Sequence, residues 1–491
     1  MSRLFISKSK FLSGLQCHKL LWTQYNAKEL IPETDAATQA IFDQGHEVGE
    51  WAKKLFPGGI EVAPNASGLQ ETIAATTEAL RQRVPLFEAA ISAGGGYARA
   101  DILNPVGDDS WDVYEVKSGT SVKDVNLHDL AFQVFVYRAA GLKIGRSHLV
   151  HINNEYVRHG EIDVQQLFVI EDLTDEIASL VAGIEASLAK QQSVIALPES
   201  PVVKIGPHCS DPYGCPLTGL CWEFLPEDNV FDLYRGGKKS WSLFDDGVYG
   251  IADIGDAVTL NDKQEIQRAA IESGQPHVDK PAIKGFLDRL TYPLYFLDFE
   301  TFSTAVPMLD GVRPYQQVPF QFSLHIQQES GGELEAHGFL AEGTGDPRPE
   351  FMSQLKSVLG RKGDVIAYNA SFEVGRLREC AELLPEYAKW VSSMERRIVD
   401  LLKPFRAFHY YHPDQHGSAS LKAVLPALTG RSYDDLEIKE GGTASAEFMR
   451  VTFGDIDEEE RLRVRSALET YCALDTEAMV WIVESLKTLM T

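Results

Sequence analysis

The stretch Tyr97-Ala-Arg-Ala-Asp101-Ile-Leu, followed by Val113-Tyr-Glu115-Val-Lys117-Ser-Gly119 and then by Gln133 and Tyr137, decides how the N-terminal half is read. Two runs with strand character, Tyr97–Asn104 and Trp111–Lys117, flank the turn-forming Asn104-Pro-Val-Gly-Asp-Asp109. Glu115 and Lys117 lie two apart, so their side chains emerge on one face. From 125 to 140 the pattern is helical, and Gln133 and Tyr137, one turn apart, share a face. A phosphodiester hydrolase needs this set. Carboxylates hold Mg²⁺ or Mn²⁺, which polarises the phosphoryl oxygen and lowers the pKa of a bound water. A lysine orients that water or neutralises developing charge, and Gln133 and Tyr137 contact substrate or order the metal shell. A lone Glu-x-Lys means little; the ordered set is the signal.

Upstream, Ala36–Phe56 is a helical pattern carrying Gln44-Gly-His46-Glu47-Val-Gly-Glu50, ended by Pro57-Gly-Gly59. His46 is either a metal ligand or a helix residue with no metal role. A loop entering a helix is expected over Ser7–Tyr25, a short strand over Ile60–Pro64, a helix over 68–83 and a strand over Leu86–Ala93. Downstream, strands are expected at His148–Asn153 and Glu155–Val157, then a long helix over Asp175–Gln191. Leu197–Trp222 is rich in Pro, Gly and Cys, so something other than secondary structure holds it. Cys209, Cys215 and Cys221 lie there, five residues between each, and Cys17 precedes the strands. Four thiolates satisfy zinc or an iron–sulfur cluster. A metal bond between them closes a loop around the whole first domain. Cys380 and Cys472 fall in helical patterns and read as packing residues.

Val230–Pro281 reads as a connector with two short helices, over 250–257 and 260–270. A new α/β segment begins near Ala282. Leu294-Tyr-Phe-Leu-Asp298-Phe-Glu300 is a buried strand ending in acids, Phe320–Gln327 and Glu333–Leu340 form a hairpin, and Val365–Asn369 is a further strand. Ser371 opens a helix with Glu373 at its start, and Tyr471 and Asp475 share a face of a final helix over 457–490. Four acids and a tyrosine can hold two cations and orient a water. Asp400 is a rival acid, read as structural.

The 491 residues are enough for two or three domains. No apolar run reaches the roughly 18 residues of a transmembrane helix, the start lacks a signal-peptide pattern, and a cytoplasmic protein with no membrane partner is expected. The net charge of −25 argues against a broad basic coat but leaves room for a local groove. The clusters Lys8-Ser-Lys10, Arg396-Arg397 and Arg461-Leu-Arg463-Val-Arg465 are candidates to line such a groove, but each taken alone reads as solvated surface.

The set Asp101, Glu115, Lys117, Gln133 and Tyr137 resembles the PD-(D/E)xK nuclease superfamily in its RecB-like branch. That branch often adds a histidine from an upstream helix, which points to His46. One cysteine before the core and three after it resembles the iron–sulfur clamp of that branch. The resemblance implies a structural four-iron four-sulfur cluster on Cys17, Cys209, Cys215 and Cys221. The wider spacing of the later cysteines departs from the common pattern and leaves zinc open. Asp298, Glu300, Glu373, Tyr471 and Asp475 resemble the DEDD exonucleases of the ribonuclease H-like fold, tyrosine subclass, and Ser420-Leu-Lys422 shares that likeness. Glu373 stands where the family usually has Asp.

The expected architecture is α/β: a restriction-endonuclease-like domain (1–229), a helical connector (230–281) and a ribonuclease H-like domain (282–491). The expected function is metal-dependent cleavage of nucleic acid, DNA preferred over RNA, at single strands or ends, as an exonuclease rather than an endonuclease. DNA repair and defence against foreign DNA both fit. The alternative is a nucleic-acid-binding or scaffold protein in which one or both nuclease folds are inactive. The sequence names no protein partner.

Overall fold

The computed structural model describes residues 5–62 and 68–491. The fold is mixed α/β and divides into two compact units, residues 1–223 with 304–316, and residues 224–303 with 317–491. Among the described residues, no helix is long and apolar enough to cross a membrane.

The first unit begins with β1 (Ile6–Ser7), α1 (Lys8–Gln16), α2 (His18–Asn26), α3 (Ala36–Lys53), β2 (Ile60–Glu61) and α4 (Leu69–Ala79). It continues with β3 (Leu86–Ala93), β4 (Gly96–Val106), β5 (Ser110–Lys117), α5 (Asp124–Ala139), β6 (Lys143–Ile152), β7 (Phe168–Asp172), α6 (Thr174–Ile195) and α7 (Thr218–Trp222). The sheet runs β2-β3-β4-β5-β6-β7, with β1 pairing parallel to β4. The β3-β4-β5 meander is antiparallel, whereas β5 and β6 are parallel because α5 crosses between them. Strand alternation feeds two cores. Leu103, Val113 and Leu149 pack with Phe11, Phe132 and Leu188 of α1, α5 and α6, while Phe87, Ile102 and Val150 pack with Val48 and Ala52 of α3 and with Ala305 and Val306.

Several expectations are corrected here. The chain is helical from Lys8 rather than a loop, and Cys17 interrupts it in an extended conformation at the joint of α1 and α2. Glu155–Val157 is not a strand; the strand next to β6 is β7. Pro105 and Val106 extend β4 instead of forming its turn. The strand expected over Ile60–Pro64 is seen at Ile60–Glu61, and 63–64 lie outside the described residues. Residues 304–316 leave the second half and pack in the first unit, where Arg158 Nη1 donates to the carbonyls of Pro307 (3.0 Å) and Met308 (2.6 Å).

The second unit carries α8 (Lys238–Asp245), α9 (Asp262–Ser273) and α10 (Lys280–Leu287) ahead of its sheet. Residues 230–281, expected as a helical connector, fall within this unit, and Gly250–Ala257, expected as a helix, is turn and bend. The sheet is β11-β10-β9-β12-β13, built from β9 (Leu294–Phe302), β10 (Val318–Gln327), β11 (Leu334–Leu340), β12 (Asp364–Ala367) and β13 (Ile398–Asp400). The first three strands are antiparallel, β12 pairs parallel with β9, and β13 pairs parallel with β12. Around it lie α11 (Arg348–Val358), α12 (Ser371–Leu383), α13 (Leu421–Thr429), α14 (Gly441–Phe453) and the 31-residue α15 (Glu458–Thr488), capped by Asp457. All ten residues of β10 are buried, and β9 is buried apart from Asp298 and Thr301.

Candidate active sites and the cysteine cavity

The first site forms where β4 and β5 part. Their pairing stops at Ile102 with Tyr114, and the next pair in that register would be Asp101 with Glu115. Instead the Asp101 carboxylate accepts the Val116 N–H at 2.6 Å. Glu115 is 1% exposed and is held from three sides. Lys117 Nζ donates to its Oε1 at 2.6 Å, Lys8 Nζ to the same oxygen at 2.7 Å, and Gln133 Nε2 to Oε2 at 2.5 Å. Asp129, one turn before Gln133 on α5, accepts from Lys117 at 2.7 Å and from Gln133 at 3.1 Å. Tyr137 is fully buried, and among the described residues neither its hydroxyl nor the Gln133 carbonyl oxygen has a hydrogen-bond partner.

These contacts split the two acids. Burial pushes the Asp101 carboxyl up, with Glu115 adding to the effect, to about 7. Burial opposes ionisation of Glu115 too, but Lys117 and Lys8 overcome it and hold that carboxyl well below the usual range. Burial also works against Lys117, yet Glu115 and Asp129 keep its ammonium above the ordinary lysine value. His46 lies on α3, exposed, and lines a cavity that also reaches Asp101. It belongs to no set of three ligating atoms within 4.8 Å among the described residues.

Neither Asp129 nor Lys8 is expected at this site from the sequence. Asp129 had a legible signal, since Asp129, Gln133 and Tyr137 repeat every four residues along one helix face. Lys8 had none: it is 107 residues from Glu115, and the solvated-surface reading of its cluster is corrected by the ion pair with a buried acid.

The second site stands on the central strand. Asp298 and Glu300 of β9 and Asp475 of α15 bring ligand oxygens within 4.8 Å of one another. Burial, then Asp475 and Glu300, pushes Asp298 well above the usual carboxylate range; burial and Asp475 push Glu300 up to about 8. Burial also raises Asp475, to about 6, against the hydrogen bond it accepts from the Tyr433 hydroxyl at 2.6 Å. Lys422 Nζ donates to the Tyr471 hydroxyl oxygen at 3.2 Å. Glu373 sits in the first turn of α12, 2% exposed, with Oε2 unpartnered and its carboxyl raised by burial to about 8. It faces the site closely enough to raise Asp298 but stands outside the three-acid set. Asp400 accepts from the backbone N–H of Asn369 at 3.1 Å and of Leu402 at 3.0 Å, a structural capping role. Tyr433 was not anticipated; no motif marks it.

The four thiols of Cys17, Cys209, Cys215 and Cys221 line one small cavity. None is in a disulfide. Burial raises the Cys215 thiol, and the other three cysteines reinforce the shift. The Cys215 N–H donates to the Cys209 carbonyl, and Gln16 Nε2 ties α1 to the carbonyls of His208 (2.9 Å) and Tyr213 (2.6 Å). Among the described residues no three of these sulfurs lie within 4.8 Å. A tetrahedral zinc, with Zn–S near 2.3 Å, would draw sulfurs to about 3.8 Å. Cys380 and Cys472 are buried, as packing residues should be.

A family described as "Domain of unknown function (DUF2779)" matches residues 295–420, a stretch with Asp298, Glu300 and Glu373 but not Asp475. The chain is 25% identical over 226 residues to Uncharacterized protein MG366 homolog of Mycoplasma pneumoniae, covering 42% of this chain and 34% of that protein. It is 25% identical over 243 residues to Uncharacterized protein UU173 of Ureaplasma parvum serovar 3, covering 45% and 34%. It is 23% identical over 218 residues to Uncharacterized protein MG366 of Mycoplasma genitalium, covering 41% and 33%. The matches thus span about a third of the length of these curated relatives.

Proposed function

We propose that the chain is a metal-dependent nuclease, a RecB-like PD-(D/E)xK unit fused to a ribonuclease H-like exonuclease unit. The observation that carries this reading is the meeting of Asp298, Glu300 and Asp475 within 4.8 Å. Three clustered carboxylates with raised pKa values, Glu300 and Asp475 buried and Asp298 half-buried, are costly unless protonated or paired with cations. Divalent Mg²⁺ or Mn²⁺ fits an all-oxygen donor set. When bound, it supplies a polarised phosphoryl oxygen and an acidified water. Of the chain's own groups, Tyr471, hydrogen-bonded to Lys422, orients the water, and Tyr433 keeps Asp475 turned toward its partners. Glu373 approaches from α12 as the fourth acid.

At the first site, Asp101 and Glu115 are the metal-holding acids. Lys117 presents an ammonium beside them, positioned by Asp129, and Lys8 adds a second positive charge for the phosphate. The four cysteines would hold an iron–sulfur cluster, whose core is larger than one zinc ion and suits the wider spacing of the sulfurs. Its job is structural: α1 runs from Cys17 back to Lys8, so fixing the thiols fixes one end of the helix that delivers Lys8.

Cleavage of single- and double-stranded DNA and of RNA with Mg²⁺ or Mn²⁺, by the wild type, Lys117→Ala and Asp298→Ala, tests the reading. Metal-dependent cutting of single-stranded DNA is expected, reduced in each variant. No cutting by the wild type removes the enzyme reading. A second reading, a nucleic-acid-binding protein with an inactive site, is favoured for one unit by Glu373 lying outside the three-acid set. Loss of all cutting in Lys117→Ala alone, with Asp298→Ala unimpaired, would assign binding to the second unit. For the cysteines, protein purified without air should absorb visible light and contain iron; a colourless protein with one zinc would replace the cluster.

A further inference from the structure

A cavity of about 490 Å³ opens between α3 and the strands and reaches Asp101. Two features of its walls lack a packing explanation. Gly45 and Gly49 lie one turn apart in the middle of α3 and face it, although glycine is, after proline, the poorest helix former. Among the described residues, a Cβ at either position would meet nothing within 4 Å, so no atom of theirs demands glycine there. What the missing side chains leave is space.

The second feature is Glu88. It stands opposite Asp101 in the β3–β4 register, yet its φ of +59° takes it out of the strand conformation. Its carboxylate lines the cavity and pairs with Arg99 at 2.7 Å. Backbone held in a sparsely populated region by its surroundings is a mark of functional sites.

The lining chemistry limits the occupant. Lys53 is engaged by Glu50 at 2.5 Å and Glu61 at 3.1 Å, and Arg99 by Glu88, so the walls hold ion pairs rather than unmatched positive charge. A phosphate gains little there. A neutral group rich in hydrogen-bond donors and acceptors gains more, since carboxylates accept from exocyclic amines. The volume falls within the range of small-ligand pockets.

We infer that this cavity receives the unpaired nucleobase next to the phosphate cleaved at Asp101 and Glu115, so that the first site acts on single-stranded or frayed nucleic acid. The inference rests on the nuclease reading and deepens it. A base stacked and paired in a duplex cannot enter such a cavity without leaving the stack.

The test is a cycle between protein and substrate, in an Asp298→Ala background so that cutting reports the first site. Gly49→Leu fills the cavity without touching Asp101, Glu115 or Lys117, and its melting temperature should match or exceed that of its parent. The substrates are single-stranded DNA oligonucleotides, intact or with one abasic residue stepped along the strand. With the parent protein, one abasic position should lower kcat/KM tenfold or more. Gly49→Leu should lose a similar factor on the intact strand and almost nothing further on the abasic one. Equal rates for parent and Gly49→Leu, losses that multiply, or unimpaired cutting of blunt duplex would overturn the cavity's role and leave the nuclease reading standing. If the Asp298→Ala protein cuts nothing while the wild type does, the inference fails and cleavage belongs to the second unit. If the wild type also cuts nothing, the nuclease reading itself is lost.

Discussion

Lys8 and Glu300 show opposite solutions to one problem, how to keep a carboxylate inside a protein. At the first site two ammoniums share one oxygen of Glu115. Lys8→Met removes one of them and leaves a buried acid with a single cationic partner. A loss of about 1–3 kcal/mol is expected from urea unfolding in EDTA, with part of it recovered when Mn²⁺ is added. At the second site, among the described residues, no ammonium or guanidinium pairs with Glu300 or Glu373 in this way, and both are raised to about 8. An unfolded chain titrates these groups near about 4.3. Between those values the native state binds more protons than the unfolded one, so stability is full at low pH and is lost as pH rises through the folded pKa. In EDTA the melting temperature should fall from about pH 5 to about pH 8, and Mg²⁺ or Mn²⁺ should raise it more at the upper end. A melting temperature that climbs with pH in EDTA would contradict the burial argument. The Asp101–Tyr137 set was legible because its members are local, with strand and helix periodicities that put them on shared faces. Lys8 and Tyr433 were not, because one tertiary contact brings each to its acid and no periodicity encodes it.

At the scale of elements, β10 shows how α15 is set in register over β9. Gln321, Ser323 and His325 alternate along one face of β10. Gln321 Nε2 donates to the Leu468 carbonyl at 2.9 Å, and Ser323 Oγ and His325 Nδ1 each lie 2.8 Å from Thr476 Oγ1. This buried polar row brackets Tyr471 and Asp475, so it fixes where both meet Asp298 and Glu300. Thr476→Val keeps the shape and strips two buried groups of a partner, at a cost of about 1–3 kcal/mol. Denaturant melts measure that loss, and cutting attributed to Asp298 should fall with it, because Asp475 rides on the same turn of helix. The helix itself was readable as one long segment over 457–490, and β9 from its unbroken apolar run into acids. The joint at Cys17 was not, since the residues on both sides are ordinary helix formers and what stops the helix is the extended backbone of one residue. Nor was β7, a five-residue strand at the sheet edge, mostly solvent-facing, which offers little alternation to detect.

For the whole molecule, the division into units does not follow the chain. Residues 304–316 separate the acid-bearing β9 from β10, its partner in the same sheet, yet they pack in the first unit. Their apolar residues Ala305 and Val306 are buried with Val48, Ala52, Phe87 and Ile102, which sequence position alone could not reveal. Backbone bonds join Arg158 N–H to the Val312 carbonyl at 3.1 Å and Gly311 N–H to the Arg158 carbonyl at 2.8 Å, and the Tyr315 hydroxyl donates to the Ser118 carbonyl, one residue beyond Lys117. Arg158 is the hub, because its guanidinium also takes two carbonyls of the segment. Arg158→Ala removes those two charge-assisted bonds and leaves the backbone pair. Opening of 304–316 should then become easier by about 1.5–3 kcal/mol, roughly a tenfold or greater rise in amide hydrogen exchange across the segment. Peptides from β12 and α12 should keep their wild-type protection, since nothing bonded to Arg158 lies there. Exchange that rises equally in both places would mean that the segment unfolds only with the second unit. Exchange that rises in 304–316 alone would make it part of the first unit's structure, holding Ser118 and with it the end of the strand that presents Lys117.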